Sequence, residues 1–130
     1  MKTLVLCVAA AGIVSLSALP ASAADVKGEI VTAETHAGLA AKASDLDGVH
    51  MHLHHTLNCL VGPNGAGFDA KQMNPCANSG SGAIPDTTDA AKKKSLQAAA
   101  DKAKDGIAQT NIATAQKDAN DVAAMLKADE

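Results

Sequence analysis

The chain has 130 residues, with 11 lysines, no arginine, 14 acidic residues and five histidines, for a formal net charge of −3. Phe68 is its single Phe, Tyr or Trp residue, and alanine alone accounts for 29 positions. We expect no nucleic-acid partner, because the acidic balance excludes the basic surface that phosphate binding requires. The lack of aromatic side chains likewise excludes base-stacking platforms and aromatic cages for cations.

Residues 1–23 have the pattern of a cleaved secretory signal peptide. Lys2 provides the positive charge, an apolar stretch follows from Leu4 to Ala18, and Ala21-Ser22-Ala23 forms a small-residue cleavage site. The apolar stretch falls short of the ~20 residues that a bilayer span requires, so an uncleaved membrane anchor is the less favoured alternative. We expect a periplasmic or secreted protein, with no membrane span after cleavage and residues 24–130 forming a single helical domain.

Apolar residues at helical spacing predict a first helix over about residues 26–43. Ser44-Asp45-Leu46-Asp47 has the form of a capping box and predicts a second helix over about 45–60. One continuous helix is the alternative, because leucines recur every seven residues at positions 39, 46, 53 and 60. We favour the break, because it gives helices whose lengths match those in the rest of the chain.

Residues 61–87 are rich in glycine and proline and lack periodicity, which predicts a long loop. Cys59 and Cys76 are expected to restrain it, because two cysteines in an exported chain commonly pair. Such a disulfide would contribute on the order of 3 kcal/mol.

Helical spacing resumes over about residues 88–106 and 111–127. Asp86 or Thr88 is expected to cap the first of these helices, Gly106 to end it, and Thr110 to cap the second. The predicted fold is all-α: an antiparallel up-and-down four-helix bundle made of two helical hairpins joined by the disulfide-restrained loop.

Four of the five histidines fall within six residues of the second helix, and His36 precedes them on the first. His50 and His54 are four residues apart and therefore neighbours on a helix, where such a pair can chelate a transition metal. A chain reversal near Ser44 would bring His36 opposite residues 52–54. We therefore predict a metal site formed by His36, His50 and His54.

Three further side chains are candidate donors to this site: Met51, His52 and His55. If Leu53 faces the core, Met51 and His55 point nearer to solvent and His52 projects from the opposite edge to His50 and His54. One helix cannot direct all four histidines at one point, so either two weak sites exist or only some of the histidines bind. Imidazole suits copper, nickel and zinc, and the thioether adds a preference for copper. We expect a divalent transition metal or a copper ion as the ligand.

Over most of residues 24–130 the chain resembles the small metal-binding proteins of the bacterial periplasm, whose hairpin pattern is roughly His-Ala-Lys-acid-Gly, a short turn and a second His-Ala step. Lys102-Ala103-Lys104-Asp105-Gly106 followed by Thr114-Ala115 is similar to that outline, with Lys102 and Thr114 at the histidine positions. His36-Ala37 and the cluster at 50–55 keep histidine where the family would place it. The resemblance implies an up-and-down helical bundle that binds several divalent metals, copper in particular, for buffering or tolerance.

The predicted function is therefore non-enzymatic binding or buffering of transition-metal ions in the periplasm. A cell-envelope interaction or structural module that presents the Gly-rich loop is the alternative. An enzyme is not predicted, because no Ser/His/Asp arrangement is present in local context and the acids near the histidines, Asp45 and Asp47, are explained as helix caps.

Overall fold

The computed structural model describes residues 23–130, so the predicted signal peptide lies outside the described residues except for its last position. The described part is all-helical, as predicted, and contains no strand. Its five helices are α1 (Val26–Lys42), α2 (Leu46–Val61), α3 (Ala83–Asp86), α4 (Ala90–Ala108) and α5 (Ile112–Ala128). Within residues 23–130 no helix has the length and apolar character needed to cross a membrane.

Each of the four long helices begins after a side chain that accepts a hydrogen bond from a backbone amide of its first turn. These N-cap residues are Asp25, Asp45, Asp89 and Asn111. The predicted caps Ser44, Thr88 and Thr110 each lie one residue too early. In these three cases the Asp or Asn that follows the predicted Ser or Thr caps the helix instead, because both residue types have a high N-cap propensity.

The break between α1 and α2 is confirmed, because Ala43 adopts an extended conformation and Asp45 starts the next helix. The predicted end of α4 at Gly106 is wrong, since the helix continues to Ala108 and Gly106 is buried inside it. A Cβ atom at Gly106 would lie 2.7 Å from Leu53 Cδ1, so this glycine allows α4 to approach α2 closely. Its role in packing explains a glycine that the sequence pattern assigned to a helix end.

The four long helices surround one core, with α1 packed on α2 and α5, and α4 packed on α5 and α2. Large aliphatic side chains alternate with alanines in this core. Alanine at the contact positions of α1 allows the helices to approach closely, while Leu53, Leu57 and Leu60 supply most of the buried apolar area from α2. The closeness of α1 to α2 positions the candidate site.

The segment between α2 and α4 is more ordered than the predicted loop, and it contains the short helix α3. The Cys59–Cys76 disulfide is confirmed, with an S–S distance of 2.06 Å. Gly62 and Gly82 have positive φ angles of 67° and 116° and lie in backbone contact, where a side chain on either would collide. A four-residue helix is too short for its periodicity to be recognised in the sequence, which explains why α3 was not predicted.

Candidate metal centre

The interface between α1 and α2 brings three imidazoles together, those of His36, His52 and His55. One ring nitrogen from each residue lies within 4.8 Å of the other two. His36 Nδ1 and His52 Nδ1 are 3.3 Å apart. The ring of His55 stands edge-on to the other two, at centroid distances of 5.0 and 5.7 Å. We call these three residues the histidine triad.

Local helix geometry explains this convergence. His52 and His55 are three residues apart on α2 and therefore share one helix face. Thr56 follows on that face, and its hydroxyl lies between two carbonyl oxygens, 3.0 Å from that of His52 on α2 and 3.2 Å from that of Ala33 on α1. Because Ala33 and Ala37 are fully buried and small, the helices approach closely enough for His36 to reach the α2 rings.

The nitrogen spacing suits a shared metal ion. Two imidazole nitrogens at about 2.0–2.1 Å from one ion, with trigonal or tetrahedral angles, are roughly 3.3–3.6 Å apart. The His36 and His52 nitrogens already lie at 3.3 Å. Only the third nitrogen, within 4.8 Å of both, would need a small shift to complete the coordination.

The electrostatics of the triad favour the ligand form of histidine. Burial, followed by the neighbouring rings of His55 and His52, lowers the pKa of His36. Burial, followed by His52 and His54, lowers the pKa of His55. Neutral imidazole is the form that binds a metal, so these directions keep the site ready for an ion at neutral pH.

His55 also has an unsatisfied polar atom. Its side chain is 6% exposed, and its Nδ1 is buried without a hydrogen-bond partner among the described residues. A buried nitrogen without a partner costs about 1–3 kcal/mol. Binding a metal at the triad would give this ring a partner, so the chemistry of the residues present fits a metal ion.

The other predicted donors do not belong to the triad. His50 Nε2 is 3.0 Å from the carbonyl oxygen of Gln109 at the end of α4, and His54 Nδ1 is 3.8 Å from Asp69 Oδ2 in the loop. Met51 is exposed. The trio that the structure brings together therefore shares only His36 with the predicted trio of His36, His50 and His54.

This difference has a physical reason. The apolar stripe of α2 shows which side faces the core, but it does not show on which flank of that stripe α1 packs. Helix α1 covers the flank of His52, His55 and Cys59, and α4 covers the flank of His50. His55, expected near solvent, is consequently buried beneath α1.

Sequence reasoning missed two buried polar residues that hold the loop beside the site. Asn58 is fully buried and donates hydrogen bonds from its amide to the carbonyls of Asp69 and Met73, at 3.0 and 3.1 Å. Glu29 is fully buried and accepts a hydrogen bond from the Gly82 amide at 3.0 Å. Neither residue stands out in the sequence, because each is a single polar position within a helical pattern.

No family model matches this chain, and neither the curated proteins nor the solved structures include one that is detectably similar to it. The resemblance to small periplasmic metal-binding proteins thus stays a prediction.

Proposed function

We propose that this chain is an exported, non-enzymatic protein that binds or buffers a transition-metal ion at the histidine triad, with copper favoured over nickel and zinc. The observation that carries the proposal is the convergence of three ring nitrogens from two helices within 4.8 Å. Imidazole is a good ligand for all three metals, and affinity among divalent ions is highest for copper.

Export to the periplasm is part of the proposal, on two grounds. The first is the signal-peptide pattern of residues 1–23. The second is the Cys59–Cys76 disulfide, which is typical of proteins in oxidising compartments. The resemblance to small periplasmic metal-binding proteins, for which no homologue gives evidence, agrees with both.

A binding role without catalysis is favoured by the local chemistry of the acids near the histidines. The side chain of Asp45 accepts a hydrogen bond from the Gly48 amide at 2.7 Å and is thereby committed to capping α2. One carboxylate oxygen of Asp69 accepts a hydrogen bond from the Lys71 backbone amide. These contacts support structural roles for both carboxylates.

We further infer an antiparallel up-and-down arrangement of the four long helices. The His50 contact with the Gln109 carbonyl joins the start of α2 to the end of α4. The Gln116 side-chain amide donates to the Ala43 carbonyl at 2.9 Å, which joins the start of α5 to the end of α1. Together with the short α1–α2 and α4–α5 links, these contacts favour the predicted bundle.

Isothermal titration calorimetry with Cu(II), Ni(II) and Zn(II) tests the proposed function. A variant with His36, His52 and His55 changed to Gln should lose binding of about one ion per chain. The matched control changes His50 and His54 to Gln and should retain it, although it removes the i,i+4 pair. Circular dichroism checks that both variants keep their helices. Equal binding by the triad variant and the wild type would refute the proposal.

The alternative, an envelope module that presents the loop, has one favourable observation. The loop is fixed by the disulfide and by Asn58, and it leaves Met73 64% exposed. Pull-down from envelope extract in the presence of a chelator tests this. A partner that is captured by the wild type and lost on Met73→Ala would favour the alternative over metal buffering.

A further inference from the structure

We infer that the ion taken by the histidine triad is monovalent copper, with Met51 as a soft donor at its solvent-facing edge. This inference rests on the proposed metal-binding function and adds the charge of the ion and a fourth participating side chain.

The charge of the ligand set favours a monovalent ion. The triad offers three neutral rings, and among residues 23–130 no Asp or Glu joins the group of potential ligands. A cation bound here would therefore keep nearly its full charge.

The cost of this uncompensated charge differs strongly between ions. The Born cost of transferring an ion from water into a medium of low dielectric constant rises with the square of its charge, so a divalent ion costs about four times as much as a monovalent ion of the same size. His55 is almost completely buried, and His36 and His52 are partly buried. This environment penalises Zn(II), Ni(II) and Cu(II) more than Cu(I).

The number and type of donors at the site also favour Cu(I) over zinc. Zinc in proteins almost always takes four ligands, so three imidazoles would leave a position for water or hydroxide. Cu(I) is stable with three donors, and thioether sulfur favours it over zinc. The two cysteines do not provide a soft donor, because they are joined in the disulfide.

The position of Met51 also supports the inference. Met51 lies four residues before His55 and directly before His52 on α2, so its side chain neighbours His55 on the helix surface. It is 40% exposed, whereas His55 is 6% exposed. Helix spacing therefore puts Met51 beside His55 on the more exposed side of α2, where we infer that its thioether is available to an arriving Cu(I) ion.

The experiment measures Cu(I) affinity anaerobically by competition with bicinchoninate, and Zn(II) affinity by competition with a chromophoric chelator. Thiol titration confirms that the disulfide stays intact. Met51→Leu should weaken Cu(I) binding about tenfold and change Zn(II) binding by less than about twofold. Met73→Leu is the matched control, because Met73 is the other strongly exposed methionine and lies in the loop; it should change neither affinity.

Two results would overturn the inference: tighter binding of Zn(II) than of Cu(I) by the wild type, or a Met51→Leu variant that binds Cu(I) as tightly as the wild type. The triad variant separates this failure from failure of the proposed function. If it loses all metals while Met51→Leu has no effect, the function stands and the inference falls. If it retains wild-type binding of every metal, both fall.

Discussion

His36 on α1 and His52 on α2 point their Nδ1 atoms at each other across 3.3 Å. A hydrogen bond between them requires one ring to carry its proton on Nδ1 while the other ring accepts, so the two neutral rings hold different tautomers. Full protonation of both rings would remove the acceptor and place two positive charges in contact. The pair is thus suited to hold one proton between its rings in the metal-free protein, and a metal ion would take that position.

With Glu29 replaced by Gln, the metal-free protein should lose stability as the pH falls below about 6.5. Burial lowers the pKa of His36 and His55 in the folded state, so the unfolded chain binds protons at a higher pH than the folded protein does. Above the unfolded-state pKa of about 6.5 these two histidines do not lower the free energy of unfolding. Below that pH the free energy of unfolding decreases as the pH falls. Urea unfolding between about pH 7.5 and 5.5, with chelator present, measures this decrease.

The control is a variant with Asn at both His36 and His55, which should show a flatter dependence on pH. Both proteins are best compared in a Glu29→Gln background, because Glu29 titrates in an overlapping range with the opposite sign. Identical pH dependence with and without the two histidines would contradict the prediction.

Helix class, approximate helix bounds, the α1–α2 break and the disulfide were all predictable. Period-3.6 spacing of apolar residues and the presence of two cysteines after a signal-peptide pattern are local signals that packing does not alter. The identity of the candidate metal-site residues depended on a longer-range relationship. Residues 50–55 contain histidines on both flanks of α2, and only the packing of α1 decides that His52 and His55 lie beside His36.

The loop illustrates a second limit of the sequence. Glycines and prolines correctly indicated turns, but the order of the segment depends on two buried polar side chains, Asn58 and Glu29, that bond to backbone groups far away in sequence. A hydrogen bond across 11 or 53 residues has no periodic signature. The same applies to Gly106, whose lack of a side chain is needed by Leu53 of another helix.

Glu29→Gln should stabilise the protein at neutral pH. Glu29 is fully buried, its Oε2 has no hydrogen-bond partner among residues 23–130, and burial raises its pKa to about 6 from 4.5 despite the hydrogen bond from Gly82. The charged carboxylate therefore costs up to about 2 kcal/mol at pH 7. A carboxyl group whose pKa is higher in the folded state than in the unfolded state stabilises the fold at a pH below its unfolded-state pKa, and this stabilisation is lost as the pH rises through its folded-state pKa. The gain in stability from Glu29→Gln should therefore disappear as the pH falls from 6 to 4.5.

Urea unfolding at pH 7 and at about pH 4.5 provides the measurement for Glu29. Glu34→Gln on the same helix controls for removal of one negative charge. If Glu29→Gln destabilises the protein at both pH values, the carboxylate is required for its contact with Gly82 and the prediction is wrong.

Two helical glycines should respond in opposite directions to alanine. A Cβ at Gly38 in α1 would meet nothing within 4 Å, so Gly38→Ala should raise the free energy of unfolding by about 0.5–1 kcal/mol through helix propensity. At Gly106 the new Cβ would lie 2.7 Å from Leu53 Cδ1 and 3.2 Å from Asp118 Cβ. Gly106→Ala should therefore destabilise by roughly 1–3 kcal/mol. Thermal and urea unfolding of both variants test the pair, and stabilisation by both would mean that α4 does not pack closely against α2.

Asn58→Ala should open the loop while leaving the helices folded. The substitution removes the acceptor of the Asp69 amide and the donor to the carbonyls of Asp69, Gln72 and Met73. Because these groups lie in a partly buried environment, we expect a loss of about 3 kcal/mol. Hydrogen exchange measured by mass spectrometry should show faster exchange confined to residues 69–73.

Removal of the disulfide should lower the free energy of unfolding by a similar amount but leave the loop ordered in the native state. A variant with Ser at Cys59 and Cys76 should also lose about 3 kcal/mol, because the bridge joins cysteines 17 positions apart and acts mainly by restricting the unfolded chain. Its loop should retain protection in the native state, since the Asn58 hydrogen bonds remain. If both variants lose the same stability but only Asn58→Ala shows faster hydrogen exchange in the loop, the order of the loop in the native state depends on Asn58. Unchanged protection of the Asp69 amide in Asn58→Ala would contradict that assignment.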